Sequence, residues 1–374
     1  GWTHGSPPSY FHPYEKPGQD WNPAIPNIDG GEDGDYLTNH LADEAVAFME
    51  TNRERPFFLY LTHYAVHTPL QAPRNLVEKY RKKLEETARP EAPAFILEGN
   101  PDDANPLSRS QLAELNRQPS HNGYKVLPQR TVKIKQLQDN VQFAGMVSAM
   151  DESLGRVMAK LESMKLSDNT IIVFFSDNGG MSAANFGNPN RVVNARQLDS
   201  AYSTSNLPLR GAKGWLYEGG IRVPMIVKWP GEANGGAVCD EPVISTDFYP
   251  SLLEMAGLPA MPDQAVDGVS FVPALKGEPF QRNAIYWHFP HYSNHGMQSP
   301  GGAVRLGDYK LLEYFENDTV QLFNLREDIG EQKNLAEVEP DRAAELRSLL
   351  HRWRTDVSAR MMPPNPDYKP AGER

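Results

Sequence analysis

Asp177 and Asn178 terminate a short apolar run from Ile171 to Ser176, and two glycines, Gly179 and Gly180, follow them. A carboxylate beside a carboxamide offers hard oxygen donors, which suit calcium or magnesium rather than thiophilic metals. The same four residues also suit an Asx-Gly turn at a strand end. His67 stands six residues past Leu61, in the turn Val66-His67-Thr68-Pro69. An imidazole there can exchange protons near neutral pH, or it can be an ordinary solvated loop histidine. Lys213 and Arg210 sit in the glycine-punctuated stretch Leu209-Arg210-Gly211-Ala212-Lys213-Gly214. There, backbone and cationic groups can converge on a tetrahedral anion, or the cations can simply face water. An oxygen pair, a histidine and a lysine following separate apolar runs fit one crevice better than three unrelated turns.

The elements that must carry these residues follow from the hydrophobic pattern. Ile171 to Ser176 shows no polar alternation, as a strand covered on both faces by helices would read. Its end is where open α/β sheets bind their ligands. Pro56-Phe57-Phe58-Leu59-Tyr60-Leu61 predicts the strand before His67, and Val223 to Trp229 the strand after Lys213. Helical spacing over Tyr36 to Glu50 and Gln136 to Met164 predicts two amphipathic helices; the second carries Val141, Met146, Met150, Leu154, Val157 and Leu161. Asp247 to Gly257 reads as a short helix stopped by glycine. Arg74 to about Arg130 turns polar and predicts a surface insertion. Beyond Lys276 the pattern changes to short antiparallel strands over Ala284–His291, Gly302–Arg305, Tyr309–Phe315 and Val320–Asn324. Pro340 to Ala359 then predicts a closing helix. Two domains follow, 1–281 and 282–374.

The chain has 374 residues and a formal net charge of -11. That balance argues against a nucleic-acid surface, so an anionic substrate needs local cations to overcome the background. No apolar run approaches the roughly 20 residues of a membrane-spanning helix, which predicts no transmembrane segment. The single cysteine, Cys239, excludes an internal disulfide and any thiolate cluster.

Several blocks together resemble the arylsulfatase-type sulfatases. They are Pro56–Leu61 with Val66-His67-Thr68-Pro69, Thr170 to Gly180, Leu209 to Gly214, and Tyr217-Glu218-Gly219-Gly220-Ile221-Arg222-Val223-Pro224. Their order and spacing match as well. The likeness continues through Thr246–Pro250, Asp267-Gly268 and the run Leu322–Leu325 with Asp328 and Glu331. This resemblance implies an α/β fold of the alkaline-phosphatase-like sandwich type, in which helices flank a large, mostly parallel central sheet. A small C-terminal α+β domain with an antiparallel sheet would follow.

It further implies a sulfuric ester hydrolase that releases inorganic sulfate from a sulfated carbohydrate or aryl sulfate ester. Asp177 and Asn178 would be Ca2+ ligands, and His67 and Lys213 would contact the sulfate or the ester oxygen. Arg210 would support them. His288, His291 and Arg305, among the aromatic residues of the small domain, would bind the sugar. A periplasmic, extracellular or lysosomal location is implied by the resemblance alone.

Where the chain departs from the family, the nucleophile is concerned. That nucleophile is a formylglycine made from Cys or Ser in a Cys/Ser-x-Pro-x-Arg motif, and no such motif occurs here. Cys239 is followed by Asp240-Glu241-Pro242, and Asn206 occupies the first position of the nearest match, Asn206-Leu207-Pro208-Leu209-Arg210. An aspartate pair on a first strand and a Lys-x-His element are absent too. An N-terminal truncation would account for all three and leave the chain inactive. A non-catalytic sulfated-glycan binding protein and a related phosphoryl-transfer hydrolase are the other readings.

Overall fold

The computed structural model describes residues 5–18, 25, 28, 30–88, 91, 93, 95–99, 107–118, 124–126, 131–183, 192–194, 203–261, 263–264, 266–293, 298–363 and 365–366. Its contacts divide the chain into two compact units, otherwise than at residue 281. The first comprises Gly1–Ala92, Gln138–Phe174 and Ile226–Ala237; the second comprises Pro93–Leu137, Phe175–Met225 and Val238–Arg374.

In the first unit, α1 (Leu37–Asn52), α2 (Arg74–Glu86) and α4 (Val141–Ser163) form a helical layer. The Asn140 side chain caps α4 by accepting the Phe143 N–H at 3.1 Å, satisfying one of the donors that a helix start leaves free. Met146 and Ala149 of α4 meet Leu76 and Val77 of α2 and Tyr10, Tyr36 and Leu37 in one core. Gly145 makes this close packing possible, because a Cβ there would lie 2.8 Å from that of Ala72. A second cluster sets Ala45, Met49, Val157 and Leu161 against Phe57, Leu59 and Leu61. Phe58 and Tyr60 point the other way, so Pro56–Leu61 alternates as the expected strand does, although it is not paired into a strand. β4 (Ile172–Phe175) and β6 (Met225–Lys228) form a two-stranded sheet. Neither reads as covered on both faces: β4 residues are half-buried or exposed, and Ile226 of β6 is exposed.

The second unit contains β1 (Phe95–Gly99) paired antiparallel with β3 (Thr131–Lys135), with α3 (Arg109–Arg117) against β1. β2 (Tyr124–Val126) pairs antiparallel with β5 (Val192–Asn194). Within the stretch 74–130, Leu76, Val77, Leu97, Glu98 and Leu112 are buried, while most other described residues of its helices are exposed or half-buried. Its Gly99 to Pro106 cluster lies, beyond Gly99, outside the described residues. After the turns α5 (Glu218–Ile221), α6 (Phe248–Met255) and α7 (Val272–Lys276) comes the antiparallel sheet expected at the C-terminus. It is made of β7 (Ile285–Phe289), β8 (Gly301–Leu306), β9 (Tyr309–Tyr314) and β10 (Thr319–Asn324), in the order β10-β9-β8-β7. Val304, Leu311 and Leu322 on one face receive Leu346 and Leu350 of α8 (Pro340–Asp356). Ala303, Leu312, Tyr314 and Phe323 on the other face pack on Ala212, Trp215, Leu216 and Tyr217, which seats the loop carrying Lys213 on the sheet.

Candidate active site

Beyond β4 the chain is turned by its own polar groups. Ser176 donates its N–H to Pro224 O at 3.3 Å and its hydroxyl to Asn178 O at 3.2 Å. The Asn178 amide donates to Asp177 Oδ1. Asp177 Oδ2 and Asn178 Oδ1 take no hydrogen bond from described residues, and Asp177 is exposed. Two hard oxygens are thus on offer side by side, matching in kind the calcium that the resemblance implies and supplying two of its usual six to eight ligands. Among the described residues, no group of three or more His, Cys, Asp or Glu stands together in a way that would complete such a site.

Lys213 is tied to this strand end through the backbone. Its N–H donates to Gly180 O at 3.1 Å, and Gly179 N–H donates to Gly220 O at 3.0 Å. The glycines are required by contact distance, since a Cβ on Gly179 would lie 1.8 Å from Gly219 O. Burial holds the Lys213 ammonium below the ordinary lysine range, while the negative charge of Asp177 works in the opposite direction. Lysine and carboxylate therefore feel each other across the turn.

Arg210 faces elsewhere. Its guanidinium bonds Glu98 Oε1 at 2.5 Å and Glu331 O at 2.9 Å, and lies 4.0 Å over the Tyr217 ring. It is a buried fastening of the loop.

His67 belongs to the first unit. Its N–H bonds Tyr64 O at 2.8 Å, and its carbonyl accepts the hydroxyl of buried Tyr10 at 2.9 Å. Nδ1 lies 3.0 Å from Thr68 O. A carbonyl can only accept, so a hydrogen is assigned to Nδ1. Tyr10 N–H also bonds Gln71 Oε1 at 2.8 Å, and the Tyr36 hydroxyl bonds Gln71 O at 2.8 Å. These two tyrosines fix the loop at both ends.

The three residues expected to bind sugar do not form one cluster. His288 is opposite Gly302, which is opposite Glu313; Arg305 is opposite Lys310. Cross-strand partners share a face, and residues an odd number apart do not. His288 therefore lies on the face that α8 covers, with Nε2 2.8 Å from Arg360 O. Arg305 lies on the other face, its Nε donating to Gly307 O at 3.1 Å. His291 is exposed, its ring 3.9 Å from that of Phe289.

Two residues of consequence were not singled out for a role in the sequence. Asn206 enters there only as a mismatch to a motif, and Tyr10 not at all. Both act through the backbone of distant segments, for which the sequence carries no periodic signal.

A sulfatase family model matches residues 4–258. A second model, of the C-terminal region of N-sulphoglucosamine sulphohydrolase, matches residues 212–357. A sulfatase of Formosa agariphila is 29% identical over 343 residues, covering 85% of this chain and 50% of that protein. The chain thus spans about half the length of this relative. Among solved structures, Ps i-CgsB is similar with a TM-score of 0.61 and 26% identity, over 88% of this chain and 57% of its own. BT4656, solved with its substrate D-glucosamine-2-N,6-O-disulfate, shares the fold at a TM-score of 0.60 and 20% identity, over 87% of this chain and 71% of its own. With the mixed α/β architecture and the antiparallel C-terminal sheet, these matches establish that the chain belongs to the sulfatase family.

Proposed function

We propose that the protein takes part in hydrolysis of a sulfate ester on a carbohydrate, releasing inorganic sulfate. The observation that carries this reading is Lys213, held by Gly180 beside the Asp177–Asn178 oxygen pair in a chain whose overall charge is -11. As the S–O bond breaks, negative charge grows on the leaving oxygen and remains on the three others. The ammonium of Lys213 would compensate that charge. The role that the resemblance assigns to His67, contact with the sulfate or the ester oxygen, is part of the proposal. A calcium ion held by Asp177 and Asn178 would add Lewis acidity when bound. The family's formylglycine does not fit these residues. No Cys or Ser stands in the required motif, and the Asn206 carboxamide in the nearest match is engaged with backbone carbonyls. This chain's own residues supply binding and charge compensation.

A sulfated sugar is supported as substrate by two neighbours, Ps i-CgsB in complex with k-i-k-neocarrahexaose and BT4656 with its disulfated glucosamine. His291 and Arg305 are the groups proposed to meet the sugar. His288, bonded to Arg360 O, is left with a supporting role. No helix of the described residues is long and apolar enough to cross a membrane. Export to the periplasm, cell exterior or lysosome is part of the proposal. So is membership of β4, β6 and Pro56–Leu61 in a larger, mostly parallel sheet. Lys213 beside the Asp177–Asn178 pair offers groups for holding a sulfate without turning it over, which supports a second reading, a sulfated-glycan binder without turnover.

Calorimetry with calcium and a sulfated disaccharide, alongside ion chromatography for released sulfate, tests both readings. The expected result is calcium-dependent binding that is lost in Asp177→Ala and Lys213→Met. Binding accompanied by sulfate release selects the hydrolase, and binding alone selects the glycan binder. No binding by the folded protein would sink both.

A further inference from the structure

We propose that Asn206 is the positioning residue that sets where Lys213 stands relative to Asp177. Its Nδ2 lies 2.8 Å from Gly180 O, 3.1 Å from Gly219 O, 3.3 Å from Gly211 O and 3.3 Å from Ser182 Oγ. Three of these acceptors are carbonyls from three separate turns: the exit of the Asp177 strand, the start of the Lys213 loop, and the turn after Tyr217. Converging carbonyls repel one another, and a group that presents hydrogens and no lone pair on that side relieves them. The amide NH2 of asparagine is such a group. A serine offers one hydrogen, and an aspartate offers none when ionised.

The consequence reaches Lys213 in one step. Gly180 O, which receives Asn206, is also the acceptor of the Lys213 N–H at 3.1 Å. Gly219, whose carbonyl receives Asn206, donates its own N–H to Arg210 O at 2.7 Å. Ser182 Oγ donates to Gly211 O at 3.0 Å, closing the ring. Glycines permit this density: a Cβ on Gly219 would sit 2.5 Å from Arg210 O, and one on Gly180 would sit 2.8 Å from Asn206 Oδ1. The strand end and the lysine loop are thus joined through one carboxamide. Asn206 touches no reacting atom in this account. That Lys213 compensates sulfate charge rests on the function proposed above; that Asn206 places Lys213 does not.

The test reads Lys213 directly, by brief acylation of lysine amines and peptide mass spectrometry, with Lys228 as internal reference because Ser167 O and Oγ hold it at 2.8 and 2.9 Å. In folded Asn206→Asp or Asn206→Ala, the Lys213 to Lys228 reactivity ratio should change at least about threefold, as a loop released from its hydrogen bonds opens more often. An unchanged ratio in a folded variant overturns the proposal. If neither variant folds, hydrogen exchange of the unaltered protein decides. The amides of Gly179, Lys213 and Gly219 should share one protection factor, because one opening breaks all three bonds. Lys213 exchanging more than about tenfold faster than Gly219 overturns the proposal. Inorganic sulfate is the separate probe of the functional reading. Failure to slow acylation of Lys213 would count against sulfate binding while leaving the Asn206 coupling intact.

Discussion

Lys310 and Glu331 form a 2.9 Å ion pair in which both side chains are fully buried. A second carboxylate, Glu218 Oε1, lies 2.9 Å from the same ammonium, and Glu331 Oε2 accepts the Glu218 N–H at 2.7 Å. Burial pushes the Glu331 carboxyl up, and the Lys310 charge only partly opposes it. For Glu218, burial acts the same way but Lys310 prevails, so its carboxyl is held below the ordinary range. Removing the lysine leaves two carboxylates with no buried cation between them, whereas neutralising Glu331 leaves one matched pair. Lys310→Met should therefore cost about 3–5 kcal/mol and Glu331→Gln roughly 1 kcal/mol. Urea unfolding at neutral pH measures both, and equal losses would refute the asymmetry.

His63 gives the stability a pH dependence of known sign. Its Nε2 meets Ser153 Oγ at 3.1 Å, its Nδ1 is buried without a hydrogen bond, and burial holds its pKa below the ordinary value of 6.5. Below pH 6.5 the unfolded chain takes up a proton that the folded chain resists. Stability attributable to the neutral ring is present above that pH and is lost as pH falls from 6.5 through the folded pKa. Between about pH 7.5 and about 5.5, on either side of the ordinary histidine value, Tm should drop further in the unaltered protein than in His63→Gln. Parallel Tm profiles for the two would show that His63 does not contribute.

Much of this architecture could be read from the chain because its signals are local. The stripe from Val141 to Leu161 appears as a helix over Val141–Ser163, and the four C-terminal strands appear within about two residues of their expected bounds. Within Arg74 to Arg130, composition hides individual buried groups because it equates charge with exposure. Glu98 is buried yet satisfied by Arg210 from 112 residues away and by Arg109, and no single-sequence pattern marks such a partner. The separation of His288 from Arg305 depends on register, which the hairpin between β7 and β8 decides. Lys213 and Asp177 were legible as chemistry, whereas the carboxamide that joins their loops looked like a failed motif.

Phe58 and Tyr60 are 74% and 80% exposed, while Phe57, Leu59 and Leu61 between and beside them pack on Ala45, Met49, Val157 and Leu161. Period-two alternation thus places apolar side chains on both faces of one extended segment, and an exposed edge of this kind templates association. The paired substitution Phe58→Ser with Tyr60→Ser should reduce light scattering at high protein concentration and change unfolding free energy by about 0.5 kcal/mol or less. Leu59→Ala should do the reverse, costing about 2–4 kcal/mol. Equal effects of the two sets on stability would mean that the outward face is covered in solution.

Three glycines separate steric need from conformational need. Alanine at Gly179 would place its Cβ 1.8 Å from Gly219 O, which is backbone and has no rotamer to yield. The turn behind Asp177 must then move, so the cost should be several kcal/mol, on the order of 3 or more, with calcium binding weakened as the oxygen pair is displaced. At Gly231 a Cβ meets nothing within 4 Å but φ is +78°, so only left-handed strain of about 1 kcal/mol applies. At Gly235 there is neither contact nor positive φ. Alanine there should be neutral or stabilise by up to about 1 kcal/mol through the unfolded state. Denaturant midpoints for the three variants should fall in that order. A Gly179→Ala protein as stable as Gly235→Ala would mean that the strand end carrying Asp177 is not packed against Gly219, and the connection from Asp177 to Lys213 would fail with it.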